Sequence, residues 1–439
     1  MRGVGDKLAD VVTRPDPKPP RLYARTIEID DPGPLLALLP EQDAYAWVRR
    51  GEGMVGWGEV ARCKPTDIAD AEQWWTGLVA QVVSVSSLEH IPGSGFMAFG
   101  SFVFDPSNSA ARSTLVVPRT VLGRRNGRCW LTRIGTSYVH EGLDSAPRPP
   151  RPPRNVSYAD GGLTGPQWEA AVAEAVRRIT ASGLDPLDQG SRGPDRLEKV
   201  VLARDLVARA EEPIDPRWIL TRLAERYERC WSYLVDGLVG ATPEMLLRRE
   251  NGLVTSRVLA GTIQRSGDNI RDLALAAALA RSSKDLEEHE YAVTSVADAL
   301  APYCSGMNVP DAPYVLELPN VLHLATDVTA VAGPERTSLG LAAALHPSAA
   351  VCGTPTETAR RTIAELEHLD RERYAGPVGW IDAQGDGEWG IALRCGLVDD
   401  TDPRQIRLYA GCGVVAGSDP EAELTESNAK LVPMRDALG

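Results

Sequence analysis

The C-terminal stretch SDPEAELTESNAKL spaces its charged residues for joint work on one face of a helix. Glu423, Glu426 and Lys430 stand at i, i+3 and i+7, so a helix would present all three together. A second acidic pair, Glu287 and Glu288, falls early in the helix predicted from SSKDLEEHEYAV. If Glu288 and Glu426 converge, two carboxylates and water make a hard oxygen site of the kind Mg²⁺ takes. The same spacing also suits two solvated helix faces with ordinary i,i+4 pairing.

Other residues are chemically out of place in their surroundings. Lys199 opens the apolar run KVVLA, where alternation puts it on one face with Val201, Ala203 and Asp205. It is either a gatekeeper on an edge strand or a buried amine. In the second case desolvation disfavours its charged form, and it can serve as a general base. Glu244, in GATPEMLL, is either a surface carboxylate or a buried acid held protonated by apolar neighbours. His323, in NVLHLAT, points away from the flanking leucines and is by default a satisfied structural histidine. Arg394, in IALRCG, reads as a mid-strand arginine that needs a partner, which a substrate carboxylate would provide bidentately. The glycines of AGCGVVAG free backbone amides for close approach to an anion.

These residues need a frame. Short β-type runs such as AYAWVRR, SGFMAFGSFVF and STLVVP fill residues 21 to about 145, and PRPPRPPR then favours polyproline II and marks a boundary. Beyond it helices and strands mix. A helix opens at Thr164-Gly165-Pro166-Gln167, with Trp168, Val172, Val176 and Ile179 on one face. Asp215 and Ser282 or Ser283 cap two more helices, Asn251-Gly252 is a type I′ hairpin turn, and a last helix begins near Ser418. The mixture predicts an α+β fold with large antiparallel sheets. The expected organisation is a flexible leader at 1–20, a β-rich half at 21–154, and a catalytic region at 155–439 that forms one composite domain with it.

Composition narrows the function. The chain has 439 residues, a formal net charge of -13 and 43% hydrophobic residues, the balance of a soluble globular protein. An acidic chain lacks the basic excess a nucleic-acid surface needs. No run of 18 apolar residues occurs, so no membrane span is expected. Seven widely spaced cysteines without a CxxC pair support neither a disulfide scaffold nor a zinc knuckle, and fit a reducing cytoplasm.

Taken in order, LEKVVLARDL, GATPEMLL, VLAGT, SSKDLEEHEYAV, LHPSAAVCGTPTETA, LDRERYAGPVGW, WGIALRCGL and LYAGCGVVAGSDPEAELTESNAKL resemble the chorismate-utilising enzymes, and the isochorismate synthases among them most. The resemblance runs from about residue 165 to the end and extends more weakly upstream through VRRGEGMVGWGEVAR. It implies two large stacked antiparallel β-sheets flanked by helices, with a Mg²⁺-dependent site between them. It places metal ligands on Glu288 and Glu426, with Glu423 acting through water. Lys430 matches a carboxylate-binding lysine. Arg394, Tyr374 and the backbone of Gly411 and Gly413 match groups holding the enolpyruvyl carboxylate. Gly261 and Thr262 match the loop against the ring carboxylate, and His323 the active-site histidine. Lys199 matches the base and Glu244 the acid of a reaction that adds water at C2 of chorismate and expels the C4 hydroxyl.

Differences sort the chain within that family. Anthranilate synthases, which resemble it, carry Gln where Lys199 stands and draw ammonia from an amidotransferase, so Lys199 favours water and no obligatory partner subunit. Aminodeoxychorismate synthases of the nucleophilic type put Lys at the position of Ala260. Salicylate synthases tend to carry Thr where Ala350 lies, so Ala350 favours stopping at isochorismate. The resemblance thus implies a monomeric cytoplasmic isomerase. The alternatives are a salicylate synthase that goes on to eliminate pyruvate, a non-catalytic chorismate-binding scaffold, and a metal-dependent hydrolase on an unrelated fold. The last lacks an HExxH-type ligand set.

Overall fold

A computed structural model of the protein describes residues 21–88, 91–136, 147–181 and 196–439. The expected leader lies outside the described residues. The Pro-rich segment 147–154 has no regular secondary structure, as its composition requires.

Among the described residues the strands are linked into one hydrogen-bonded network of 21. Apart from the parallel pairing of Tyr23–Ile29 with Val83–Ser86, the pairings are antiparallel. The network has two wings. In the first, Lys199–Arg209 pairs with Gln405–Val414, which leads through Cys395–Val398, Leu238–Thr242 and Trp231–Val235 to Ala44–Arg49. It continues through Glu52–Cys63, Thr114–Arg125 and Arg128–Gly135 to Tyr23–Ile29. In the second, Met97–Ser101 pairs with Pro377–Asp382, followed by Gly387–Ile391, Met245–Glu250, Leu253–Gln264 and Val321–Ala332. The wings meet where the first residues of Thr114–Arg125 pair with Met97–Ser101. The two stacked sheets therefore share one seam rather than standing apart.

Large aromatics fill the space between the wings. Trp47, Tyr233, Phe99, Trp380 and Trp389 are fully buried in one core cluster. Each removes roughly 150–250 Å² from water, on the order of 5 kcal/mol of gross burial. The wings approach closely enough that a Cβ on Gly390 would fall 3.0 Å from Trp47. Local chemistry sets the flanking elements. Asp215 caps Pro216–Arg226, and Ser282 caps Ser283–Leu300. Asn251 and Gly252 both have positive φ, at 50° and 84°, as a type I′ turn demands. The last helix, Pro420–Leu438, is capped by Asp419 instead of Ser418, because the Asp419 carboxylate reaches the Ala422 amide. No described helix is long and apolar enough to cross a membrane.

Candidate active site

Two of the passages of the chain from one wing to the other lie side by side. Leu238–Thr242 belongs to the first wing and Met245–Glu250 to the second, with Pro243 and Glu244 between them. Gly387–Ile391 returns the chain from the second wing to Cys395–Val398 in the first, with Arg394 in the gap. The crossings bond to each other: the Ile391 amide donates to the Glu244 carbonyl and the Ala241 amide to the Arg394 carbonyl, each at 3.2 Å.

Arg394 is therefore not mid-strand, as its apolar neighbours suggested. It sits at a break, with φ 48°, the left-handed strain that marks functional positions in other proteins. Its side chain is 7% exposed and makes no ion pair among the described residues. One guanidinium nitrogen lies 3.3 Å from His323 Nε2. Desolvation lowers its pKa, which measures how poorly the charge is compensated. Glu244 is 5% exposed. Burial raises its pKa to about 8, against the opposing pull of Lys199 and Lys430. It is a protonated acid at neutral pH.

The second wing contributes a β-bulge. Ala260 pairs with Leu324 and Thr262 with His323, leaving Gly261 as the extra residue at φ 78°. The bulge turns Gly261 and Thr262 into the cleft. His323 is buried, and burial first, then Arg394 and Lys430, hold its pKa well below the usual imidazole range. An arginine can only donate, so Nε2 of this neutral ring accepts, and Nδ1–H faces Thr262 Oγ1 at 2.9 Å.

From the first wing come Lys199, Gly411 and Gly413. Lys199 is 1% exposed, on a strand paired on both sides, so the edge-gatekeeper reading does not hold. Its Nζ meets Glu288 Oε1 at 3.0 Å. A Cβ on Gly413 would lie 2.7 Å from that Glu288 oxygen and 3.1 Å from Lys199 Cε, so glycine leaves the pair its room. Gly411 faces the Tyr374 hydroxyl in the same way, and Tyr374 stacks on Tyr409 at 5.2 Å. Lys430 Nζ donates to the Gly411 carbonyl at 2.8 Å and pairs with Glu426 at 2.7 Å. Desolvation works against its charge, but the Glu426 carboxylate beside it holds its pKa above the ordinary lysine value.

One cleft gathers these groups. Every site residue expected from sequence lines it except Lys199, which lies behind Gly413 and Glu288. Ala350 is on the wall. The cleft also holds Asp285, which sequence reasoning missed. The signal was present: Asp285 and Glu288 repeat the i,i+3 spacing of Glu423 and Glu426. Glu287, highlighted with Glu288, is absent from the lining. Carboxylate oxygens of Glu423 and Glu426 lie within 4.8 Å of each other and of Cys412 Sγ. The Cys412 thiol donates to the Glu423 carbonyl, and burial raises its pKa far above that of a free thiol. It is therefore a poor metal donor, and hard carboxylate oxygens make up the rest of the set.

The profile of the chorismate binding enzymes matches residues 16–439 of this chain. The isochorismate synthase DhbC of Bacillus subtilis is 42% identical over 255 residues, which are 55% of this chain and 63% of that protein. The chain thus spans less than two thirds of DhbC in that match. The vibriobactin-specific isochorismate synthase of Vibrio cholerae is 32% identical over 352 residues, 78% of this chain and 79% of that protein. Among solved structures, DhbC from Bacillus anthracis superposes with a TM-score of 0.74 at 30% identity, covering 92% of this chain and 98% of that one. The menaquinone-specific isochorismate synthase MenF of Escherichia coli gives a TM-score of 0.77 at 24% identity over 96% and 95% of the two chains, a likeness of fold.

Proposed function

The chain belongs to the chorismate-binding enzymes, and from that premise we propose that it is an isochorismate synthase. The observation that carries this reading is a buried acid in the cleft that stays protonated near neutral pH, together with a buried amine behind the cleft wall that pairs with the lining carboxylate of Glu288.

The proposed chemistry adds water at C2 of chorismate, shifts a ring double bond and breaks the C4–O bond. Once its pair with Glu288 opens and its ammonium has released a proton to solvent, the neutral Lys199 amine takes a proton from the attacking water. Glu244 gives its proton to the departing hydroxide, which leaves as water. One water enters and one leaves, and the substrate is isomerised. Each of the two groups accounts for roughly 10²–10⁴-fold of rate. Chorismate brings two carboxylates that must leave water. Arg394, strained into place and without an ion pair among the described residues, receives the enolpyruvyl one, beside Tyr374 and the amides of Gly411 and Gly413. Gly261, Thr262 and neutral His323 form the wall for the ring carboxylate, with Lys430 beside it.

The donor set fits Mg²⁺. Glu288 and Glu426 of the cleft lining would bind it directly, and Glu423, whose carboxylate lies within 4.8 Å of that of Glu426, and Asp285 of the same lining would act through water. Bound there, the ion would supply Lewis-acid stabilisation of the ring carboxylate. Lys199 in place of an ammonia-directing residue favours water as nucleophile, so the enzyme needs no amidotransferase. We read it as a cytoplasmic monomer, with residues 21–154 and 155–439 acting as one catalytic unit. Ala350 on the cleft wall favours release of isochorismate over elimination of pyruvate.

Turnover in ¹⁸O-labelled water tests the step itself. The account expects label in the C2 hydroxyl of the product. Unlabelled product would mean that the C4 oxygen migrates, and the assigned roles of Lys199 and Glu244 would go.

A further inference from the structure

His289 follows the proposed metal ligand Glu288 and is 3% exposed. Its ring touches both strands of the ring-carboxylate wall. Nδ1 lies 3.2 Å from the Ala260 carbonyl, the residue before the Gly261 bulge. Nε2 lies 2.8 Å from Thr326 Oγ1, three residues along the strand from His323. A carbonyl only accepts, so Nδ1 carries the proton of the first bond.

The rest of this helix face is apolar. Ala292, Val296 and Leu300 continue the buried stripe from His289 at helical spacing. Burial alone would be served by another aliphatic residue at the first position. Apolar packing lets a helix slide or roll by a fraction of a turn at small cost, because it is non-directional. Two hydrogen bonds to two different strands fix both translation and rotation. They act on the turn that carries Asp285 and Glu288, next to the bulge that carries Gly261 and Thr262.

We propose that His289 is a positioning residue that locks the acidic turn of its helix to the ring-carboxylate wall, so that metal and substrate bind as one preorganised unit. The proposal rests on the isochorismate synthase reading for the identity of the ligands. Because metal and ring carboxylate would share one anchored frame, each must raise the affinity for the other, and the coupling is reciprocal.

The test uses the full-length protein. Mg²⁺ and chorismate binding are measured by calorimetry, each alone and in the presence of the other, alongside kcat, KM and denaturant stability. His289→Ala should weaken Mg²⁺ roughly tenfold, as loss of an outer-shell partner does. It should raise KM for chorismate by a similar factor, reduce kcat less, and shrink the mutual enhancement. His289→Asn keeps a donor near the Nδ1 position and should restore both affinities to within about threefold of wild type, on the scale of one hydrogen bond. Unchanged Mg²⁺ and chorismate affinities in His289→Ala would overturn the proposal. So would losses that Asn does not rescue and that follow stability alone. If His289→Ala does not fold, His289→Asn and His289→Gln replace it, and equal affinities in both would overturn it. Wild-type protein that binds neither ligand would instead overturn the functional reading, a separate outcome.

Discussion

Replacing Glu244 by Gln should give the protein a stability advantage over wild type that widens as pH rises, while removing its activity. The carboxyl is 5% exposed, and burial raises its pKa from 4.5 to about 8. In the unfolded chain the group loses its proton near pH 4.5; in the fold it keeps it to about 8. Between those values the folded state binds one more proton than the unfolded state. Stability of the wild type therefore falls as pH rises through this window, by about 1.4 kcal/mol per unit. At pH 7 the accumulated loss is roughly 3 kcal/mol, and above pH 8 it levels near 5 kcal/mol. Glutamine fills nearly the same volume and does not titrate. Denaturant unfolding of wild type and Glu244→Gln at several values from pH 5 to 9 should give a difference that grows in favour of Gln up to about pH 8 and then stops. Turnover of Gln should drop by roughly 10²–10⁴-fold, and wild-type kcat/KM should decline above about pH 8 as the acid ionises. A stability difference that is flat across that range would refute the buried-acid argument. Full activity of Glu244→Gln would refute its catalytic role, whatever the stability data say.

Lys199→Gln should cut kcat by roughly 10²–10⁴-fold with chorismate still bound, and a change confined to KM would remove it as the base. Gly413→Ala puts a methyl 2.7 Å from Glu288 Oε1 and 3.1 Å from Lys199 Cε. Displacing that pair should cost turnover on the order of 10²-fold, and near-wild-type kinetics would show that the pair is not needed where it stands. Arg394→Lys keeps the charge but not the planar fork. It should raise KM for chorismate by about tenfold, and an unchanged KM would place the enolpyruvyl carboxylate elsewhere.

Much of the site is written in local spacing. Glu423, Glu426 and Lys430 share a helix face by counting alone, and Lys199 stands out because an amine in a run of valines needs a reason. Asp285 is masked in sequence by the adjacent pair Glu287–Glu288; adjacent residues point to different sides of a helix, whereas i,i+3 residues share one. Arg394 was legible as a carboxylate partner, but its mid-strand placement failed for a different reason. Its neighbours have strand composition, and nothing local records that the chain changes wings between Ile391 and Cys395. That break depends on pairing with Leu238–Thr242, far away in sequence. The same holds for the seam between the wings, set by the partners of Thr114–Arg125. His289 reads as one more polar residue in SSKDLEEHEYAV until the strands bearing Ala260 and Thr326 are beside it. Only the folding of distant segments against one another decides which polar residue becomes buried and partnered.

The most direct measurement is product analysis of purified protein incubated with chorismate, with Mg²⁺ or with EDTA, resolved by chromatography. The account predicts a Mg²⁺-dependent equilibrium mixture of chorismate and isochorismate, free of pyruvate and lost in EDTA. Salicylate with pyruvate would assign the protein to the lyase branch and contradict the reading of Ala350. Bound chorismate and bound Mg²⁺ without turnover would contradict the central claim, leaving a binding scaffold in place of an enzyme.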